Sequence, residues 1–117
     1  MLQDTIAKIE GRLQTSAALN ESQRAELLKL LGQLKTEIGQ LSKTNQEQAE
    51  SIASFAEVSA REATRQDRNP RLVEHSIGGL KSSVQEFETS HPHLAGLVNR
   101  LASMLANMGI LETGAPG

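Results

Sequence analysis

Apolar residues recur every three or four positions through most of this chain, the spacing of a helix with one buried face. The first run predicts a helix over residues 2–15 and consists of Leu2, Ile6, Ile9 and Leu13. Asn20, with Gln23 three residues later, has the pattern of a capping box and predicts that a second helix begins at residue 21. Because a short segment joins these helices, we expect an antiparallel hairpin.

The second helix carries a strict heptad of Leu27, Leu31, Leu34, Ile38 and Leu41. The heptad continues through Asn45, Gln48, Ile52 and Phe55, and the segment 42–55 contains no Pro or Gly that would break the helix. The pattern therefore favours one continuous helix over residues 21–67, which would be roughly 70 Å long. The alternative is a break near Lys43, with Thr44 as a new N-cap and Glu47 as its partner.

Small side chains form a second stripe in the middle of the chain. Its alanines recur at spacings of four and three, and they are Ala49, Ala53, Ala56, Ala60 and Ala63. One interpretation is that alanine fills a solvated face because it is the best helix former. The other is a close-packed seam against a helix of the same or another chain, in which Asn45, Ile52 and Phe55 also take part.

Two further helices follow a break at Asn69-Pro70, where Asn69 is a candidate N-cap and Pro70 suits the first helical position. The third is predicted over residues 70–89 and contains Gly78-Gly79, a pair that indicates a kink or a packed neighbour. The fourth is predicted over residues 92–108. Its expected corner and core residues are Phe87, Ser90, His91, Pro92, Leu94, Leu101, Leu105, Gly109 and Ile110.

These elements predict an all-α fold in one domain over residues 1–111, followed by a flexible tail at 112–117. Gly109 and Ile110 fit a helix stop of the Schellman type. A helix as long as 21–67 does not fit in a compact domain of about 100 residues, whose radius of gyration is about 13 Å. We therefore expect an elongated helical bundle, or an antiparallel helical hairpin, with one long central helix and coiled-coil-like packing.

The C-terminal residues also carry a resemblance. Phe87-Glu88-x-Ser90-His91-Pro92-x-Leu94, with Asn107-x-Gly109-Ile110 further on, resembles short bacterial proteins of the domain-of-unknown-function family 4404. The N-terminal hairpin is similar to that family as well, whereas the middle, roughly residues 42–69, is longer than in its shortest members. The resemblance implies a small, helical, cytoplasmic protein and supplies no activity or catalytic residue.

Composition narrows the function classes. The net charge of −2, with both signs interspersed, gives no attraction for nucleic acid or anionic lipid. The chain has no Trp or Tyr and only two Phe, which disfavours base stacking on single-stranded nucleic acid. The absence of Cys excludes disulfides and thiolate metal sites. The sequence shows no secretory signal and no apolar run long enough for a membrane span, so the expected location is cytoplasmic.

Candidate chemistry is sparse. His91 and His93 are two residues apart across Pro92, whereas two helical metal ligands normally stand three or four apart. His91 is expected instead to cap the fourth helix or to bond a free carbonyl. There is no nucleophile elbow, phosphate loop or cofactor motif, so we expect neither catalysis nor a cofactor.

Two functional hypotheses remain. The first is a self-associating structural or adaptor protein, a homodimer or higher homo-oligomer that also docks an unknown protein partner. The second is a small metal- or pH-responsive regulator that uses the corner Ser90–His93.

Overall fold

The computed structural model describes residues 2–108, and over this range the chain folds into α-helices joined by short loops. In chain order they are α1 (Leu2–Thr15), α2 (Glu21–Leu41), α3 (Gln46–Ala63), α4 (Pro70–Ser82) and α5 (Pro92–Ala106). A single 3-10 turn at Gln85–Phe87 lies between α4 and α5. Because residues 2–108 contain no strand, the all-α class predicted from the pattern is confirmed over this range.

Local signals set two of the helix starts. The Asn20 side chain accepts from the backbone N–H of Gln23 at 2.8 Å, and the Gln23 side chain accepts from the backbone N–H of Asn20 at 3.1 Å. Asn69 caps α4 by accepting from the backbone N–H of Arg71 at 3.0 Å, with Pro70 in the first turn. Each cap accepts a hydrogen bond from a backbone N–H that would otherwise lack a partner at the helix start, and both predicted caps are confirmed.

The single helix predicted over residues 21–67 is wrong. The chain leaves α2 after Leu41, makes a tight turn and enters α3 at Gln46. The longest helix has 21 residues, and the longest dimension of the fold is 46 Å, well short of the roughly 70 Å that a continuous helix would need. The radius of gyration is 13.5 Å, close to the value of a compact domain of this size.

The turn at residues 42–45 closes α2 without Gly or Pro. Backbone N–H groups of Thr44 and Asn45 both donate to the Leu41 carbonyl, at 3.1 and 2.8 Å. The Ser42 hydroxyl donates to the Gly39 carbonyl at 2.7 Å, one of the side-chain bonds that compete with helix continuation. The alternative break near Lys43 is thus close to the observed one, but the N-cap is Asn45, which makes no side-chain capping bond.

Folding back at this turn lets α3 become the central helix. It contacts each of the other four α-helices, lying between α1 and α4, while α2 packs against α5 on its inner side. The Arg24 guanidinium, early in α2, reaches the Leu13 carbonyl, late in α1, so these two helices run antiparallel. The Arg12 side chain reaches Thr64, so α1 and α3 run parallel. Burial in this arrangement outweighs the local tendency of residues 42–45 to stay helical.

The helix predicted over residues 70–89 is shorter than expected. It ends at Ser82, and the Ser83 hydroxyl donates to the Leu80 carbonyl at 2.6 Å. The 3-10 turn then brings Phe87 into the core at 7% exposure. Pro92 begins α5 as predicted, and its apolar stripe is buried through Leu94, Leu97, Val98, Leu101, Leu105 and Met108.

Candidate functional site

Two large hydrophobic side chains within residues 2–108 are exposed. Phe55 on α3 is 41% exposed and Leu72 on α4 is 43% exposed, whereas the core side chains are at most 7% exposed. The Phe55 ring lies against Gly79, and Leu72 precedes Gly79 by seven residues, or two helical turns. Both side chains therefore lie on the same side of the α3–α4 hairpin. We call this surface, formed by Phe55, Val58, Leu72 and Gly79, the α3–α4 face.

The Phe55 ring takes its position because Gly79 has no side chain. A Cβ atom placed on Gly79 would lie 2.5 Å from Cε1 and 2.7 Å from Cδ1 of Phe55, closer than real Cβ atoms approach. The neighbouring Gly78 faces open space, with nothing within 4 Å of an added Cβ. The packed neighbour expected from the Gly78-Gly79 pair is therefore Phe55, and Gly79 alone needs to be glycine for it.

The exposed side of α3 continues past Phe55 as a shallow groove of about 460 Å³. Its lining comes entirely from α3 and consists of Glu47, Glu50, Ser51, Ser54, Phe55 and Val58. Its N-terminal end is acidic because of the two glutamates. The other end of the helix carries Arg61 and Arg65, which share the carboxylate of Glu62 at 3.8 and 3.1 Å. The exposed side of α3 thus changes from negative to positive along its length.

The residues predicted to form an interaction seam divide between the inside and the outside of this fold. Phe55 is on the surface, and Asn45 lies half-buried in the turn before α3. The others are at most 1% exposed within this chain, and they are Ala49, Ile52, Ala53, Ala56, Ala60 and Ala63. The alanine stripe is therefore covered by helices of the same chain, and the surface available to a second chain is the opposite side of α3.

The histidine corner does not assemble a metal-ligand cluster. His91 Nδ1 lies 3.0 Å from the Ser90 hydroxyl, and the His91 ring packs edge-on against Phe87 with ring centroids 5.5 Å apart. His93 is exposed. Over residues 2–108 no three His, Cys, Asp or Glu side chains converge in a way that could hold a metal ion.

His91 is expected from the sequence to cap the fourth helix or to bond a free carbonyl, and it stands at the start of that helix and bonds a carbonyl through its backbone rather than its ring. His91 occupies the N-cap position of α5, but its side chain makes no capping bond. Its backbone N–H donates to the Phe87 carbonyl at 2.7 Å, a bond between residues four apart that closes the turn between the 3-10 segment and α5. The ring packs against Phe87 instead of capping the helix. Pro92, at the first helical position, is therefore the residue whose side chain favours the start of α5. The predicted stop at Gly109 and Ile110 and the tail at 112–117 lie outside the described residues.

The hydrophobic pattern did not predict the role of Arg24, a half-buried arginine beside the α1–α2 loop. The Arg24 guanidinium donates to four backbone carbonyls, those of Leu13 (2.6 Å), Gln14 (2.9 Å), Ser16 (3.1 Å) and Leu19 (3.1 Å). The first two belong to the open C-terminal end of α1, where positive charge is favourable. In the sequence Arg24 is merely a polar residue in the first turn of α2, so only the loop geometry reveals its role.

A cleft of about 520 Å³ opens beside this loop, where the ends of α1 and α3 meet. Arg12, Arg65 and Arg68 line it together with hydroxyl groups such as Thr64. Arg12 donates to the Thr64 hydroxyl at 2.9 Å and to the Arg61 carbonyl at 3.4 Å, and Arg68 donates to the Ala63 carbonyl at 3.3 Å. The Arg12 contacts tie the ends of α1 and α3 together, and the Arg68 contact holds the segment that follows α3 against the end of that helix.

Over residues 2–108 the architecture defines the class of protein: a bundle of five α-helices arranged around a small-residue central helix, with a partly apolar outer face. Within this class, the chain matches the family model described as Domain of unknown function (DUF4404) over residues 2–110, and it belongs to that family. The search of curated proteins and the search of solved structures each return no significant match. Within residues 2–108, no helix combines the length and apolar character that a membrane span requires.

Proposed function

We propose that this protein is a non-catalytic, self-associating structural or adaptor module in which a second copy of the chain binds the α3–α4 face. The observation that carries the proposal is the exposure of Phe55 and Leu72 on one side of the α3–α4 hairpin, beside the half-buried Val58. Aromatic and aliphatic anchors surrounded by polar residues are typical of interaction surfaces. The alanine stripe is not part of the proposed interface, because it lies inside the chain.

The size of the apolar contribution predicts a weak association. Burying the exposed parts of Phe55 and Leu72 contributes roughly 1 kcal/mol for each side chain. A two-fold dimer counts both side chains twice, which gives about 4 kcal/mol, whereas association itself costs about 4–15 kcal/mol. Polar and charged contacts around the apolar centre must therefore supply the rest, and we expect dissociation constants in the micromolar range or weaker.

Sedimentation equilibrium over a wide concentration range tests the proposal. The wild-type chain should show a mass that rises from 12.6 kDa toward twice that value, and Phe55→Ser and Leu72→Ser should each shift the rise to higher concentration. Met104→Ser serves as the control, because Met104 is half-buried on α5, away from the proposed interface. Circular dichroism melts verify that each variant folds. A wild-type mass of 12.6 kDa at every concentration would end the proposal.

A further inference from the structure

The exposed side of α3 has a symmetry that the α3–α4 face alone does not explain. Residues along it recur at spacings of four and three, and this outer stripe consists of Glu47, Ser51, Ser54, Val58, Arg61 and Arg65. All are exposed except Val58, which is half-buried. Arg65 lies two residues beyond the end of α3, but its contact with Glu62 at 3.1 Å keeps it beside Arg61 at the end of the stripe.

The outer stripe carries opposite charges at equal distances on either side of Ala56, so it is complementary to a second copy that runs antiparallel to it. Glu47 lies nine residues before Ala56 and Arg65 lies nine residues after it. Ser51 and Arg61 stand five residues on either side of the same position, and Ser54 and Val58 stand two residues on either side. The outer stripe therefore has an acidic end and a basic end at equal distances from Ala56, with short and apolar side chains between them.

We propose that two copies of this chain pair their α3 helices antiparallel, about a two-fold axis at the level of Ala56. This inference rests on the proposed self-association and names the partner as a second copy in one orientation. Glu47 of each copy then faces Arg65 of the other, and Ser51 faces Arg61. Phe55 lies beside the axis, next to Val58 of the other copy. A two-fold axis makes each of these contacts occur twice.

The charges at the basic end are suited to accept a second carboxylate. Glu62 is the shared intrachain partner of Arg61 and Arg65, and its side chain is 9% exposed. The two arginine side chains are 51% and 46% exposed, so one buried carboxylate faces two partly exposed cationic side chains. The excess positive charge points to an acidic partner surface, and the end of α3 that carries Glu47 and Glu50 supplies one.

A parallel pairing of α3 does not use these charges. It would set Glu47 against Glu47 and Arg61 against Arg61, which are repulsive contacts. The serines near the axis favour a close approach in the antiparallel pairing, because short side chains at a helix crossing let the axes come to about 8–10 Å.

Cysteine cross-linking reads the orientation directly, because the natural chain contains no Cys. We expect an equimolar mixture of Ser51→Cys and Arg61→Cys to form a mixed disulfide on mild oxidation, since these positions face each other across the axis. Ser51→Cys alone should give little dimer, because its two copies lie about 15 Å apart along the helices. If Ser51→Cys alone cross-links efficiently and the mixture gives no mixed product, the pairing is parallel and the inference is wrong.

Charge reversal tests the same register without cross-linking. Glu47→Arg and Arg65→Glu should each weaken self-association about tenfold, because each change creates two repulsive contacts. Mixing the two variants should restore association, since every reversed charge then meets its opposite. Single variants that associate as well as wild type would refute the register.

The two proposals fail in different ways. A wild-type chain that stays monomeric ends both of them. A chain that associates through Phe55 and Leu72, but shows neither the mixed disulfide nor the restored association, overturns only the antiparallel pairing.

Discussion

The glycine pair in α4 gives the sharpest prediction, because two adjacent residues of the same type have different surroundings. Alanine is preferred to glycine inside a helix by about 1 kcal/mol. Gly78 faces open space, so Gly78→Ala should gain this full amount and raise the melting temperature by about 4 °C. Gly79→Ala has the same gain in propensity but meets the Phe55 ring.

The cost at Gly79 follows from the distances. A Cβ at 2.5 Å from Cε1 of Phe55 must be relieved by a shift of about 1 Å to reach ordinary contact. Because Phe55 is 41% exposed, the ring can move toward solvent, at a cost of about 0.5–1.5 kcal/mol for leaving its rotamer. This cost cancels most of the gain, so we expect Gly79→Ala to lie about 1 kcal/mol below Gly78→Ala in stability.

Urea unfolding followed by circular dichroism measures these differences, at protein concentrations low enough to keep association from adding stability. A double-mutant cycle with Phe55→Ala isolates the ring, since Gly79→Ala should gain about 1 kcal/mol once the ring is gone. If Gly79→Ala and Gly78→Ala stabilise the wild-type chain equally, the close packing of Phe55 on Gly79 is wrong.

Substitutions at Arg24, Ser59 and Ala56 test contacts within the chain. Arg24→Ala should lower the free energy of unfolding by about 3 kcal/mol because four carbonyls lose their donor, and Arg24→Lys should recover only part of this because an ammonium lacks the planar fork of a guanidinium. Urea unfolding measures both variants, and a lysine variant as stable as wild type would contradict the role of the fork. Ser59→Ala should stabilise the protein by about 1 kcal/mol in the same assay, because the Ser59 hydroxyl is buried and has no hydrogen-bond partner within residues 2–108. Ala56→Leu should destabilise the protein by about 1–3 kcal/mol, because the larger side chain overpacks a position with 0% exposure. Gln48→Leu, on the surface of the same helix, is the control and should not destabilise it. Similar melting temperatures for the two variants would contradict the burial of Ala56.

Helix starts that depend on neighbouring residues could be read from the sequence. Asn20 with Gln23, and Asn69 with Pro70, supply their own capping groups within three residues of the helix start. The same reasoning could not find the turn at residues 42–45, which contains neither Gly nor Pro. That turn exists because α3 is buried by helices far away in sequence, and a heptad that runs through it gives no sign of this.

The alanine stripe shows the same limit in a different form. Its spacing leaves open a solvated face or a close-packed seam, and in the structure Ala49, Ala56 and Ala63 are fully buried. Periodicity specifies which side of a helix is covered but not which chain covers it. The contact of Gly79 with Phe55 and the position of Arg24 also depend on how helices meet, so the candidate surface could be located only in the structure.

Substitutions on the two sides of α3 should affect different properties: folding stability on the inner side and self-association on the outer side. Inward, alanines such as Ala56 let α1 and α4 pack closely, so changes there act on folding. Outward, Glu47, Ser51 and their neighbours in the outer stripe have little packing to lose, so changes there should act on association and leave the melting temperature nearly unchanged. Phe55 alone belongs to both sides, because its ring packs on Gly79 and is still 41% exposed. Since one ring joins the two sides, we expect substitutions at Phe55, or at Gly79 of α4 on which it packs, to affect both properties at once.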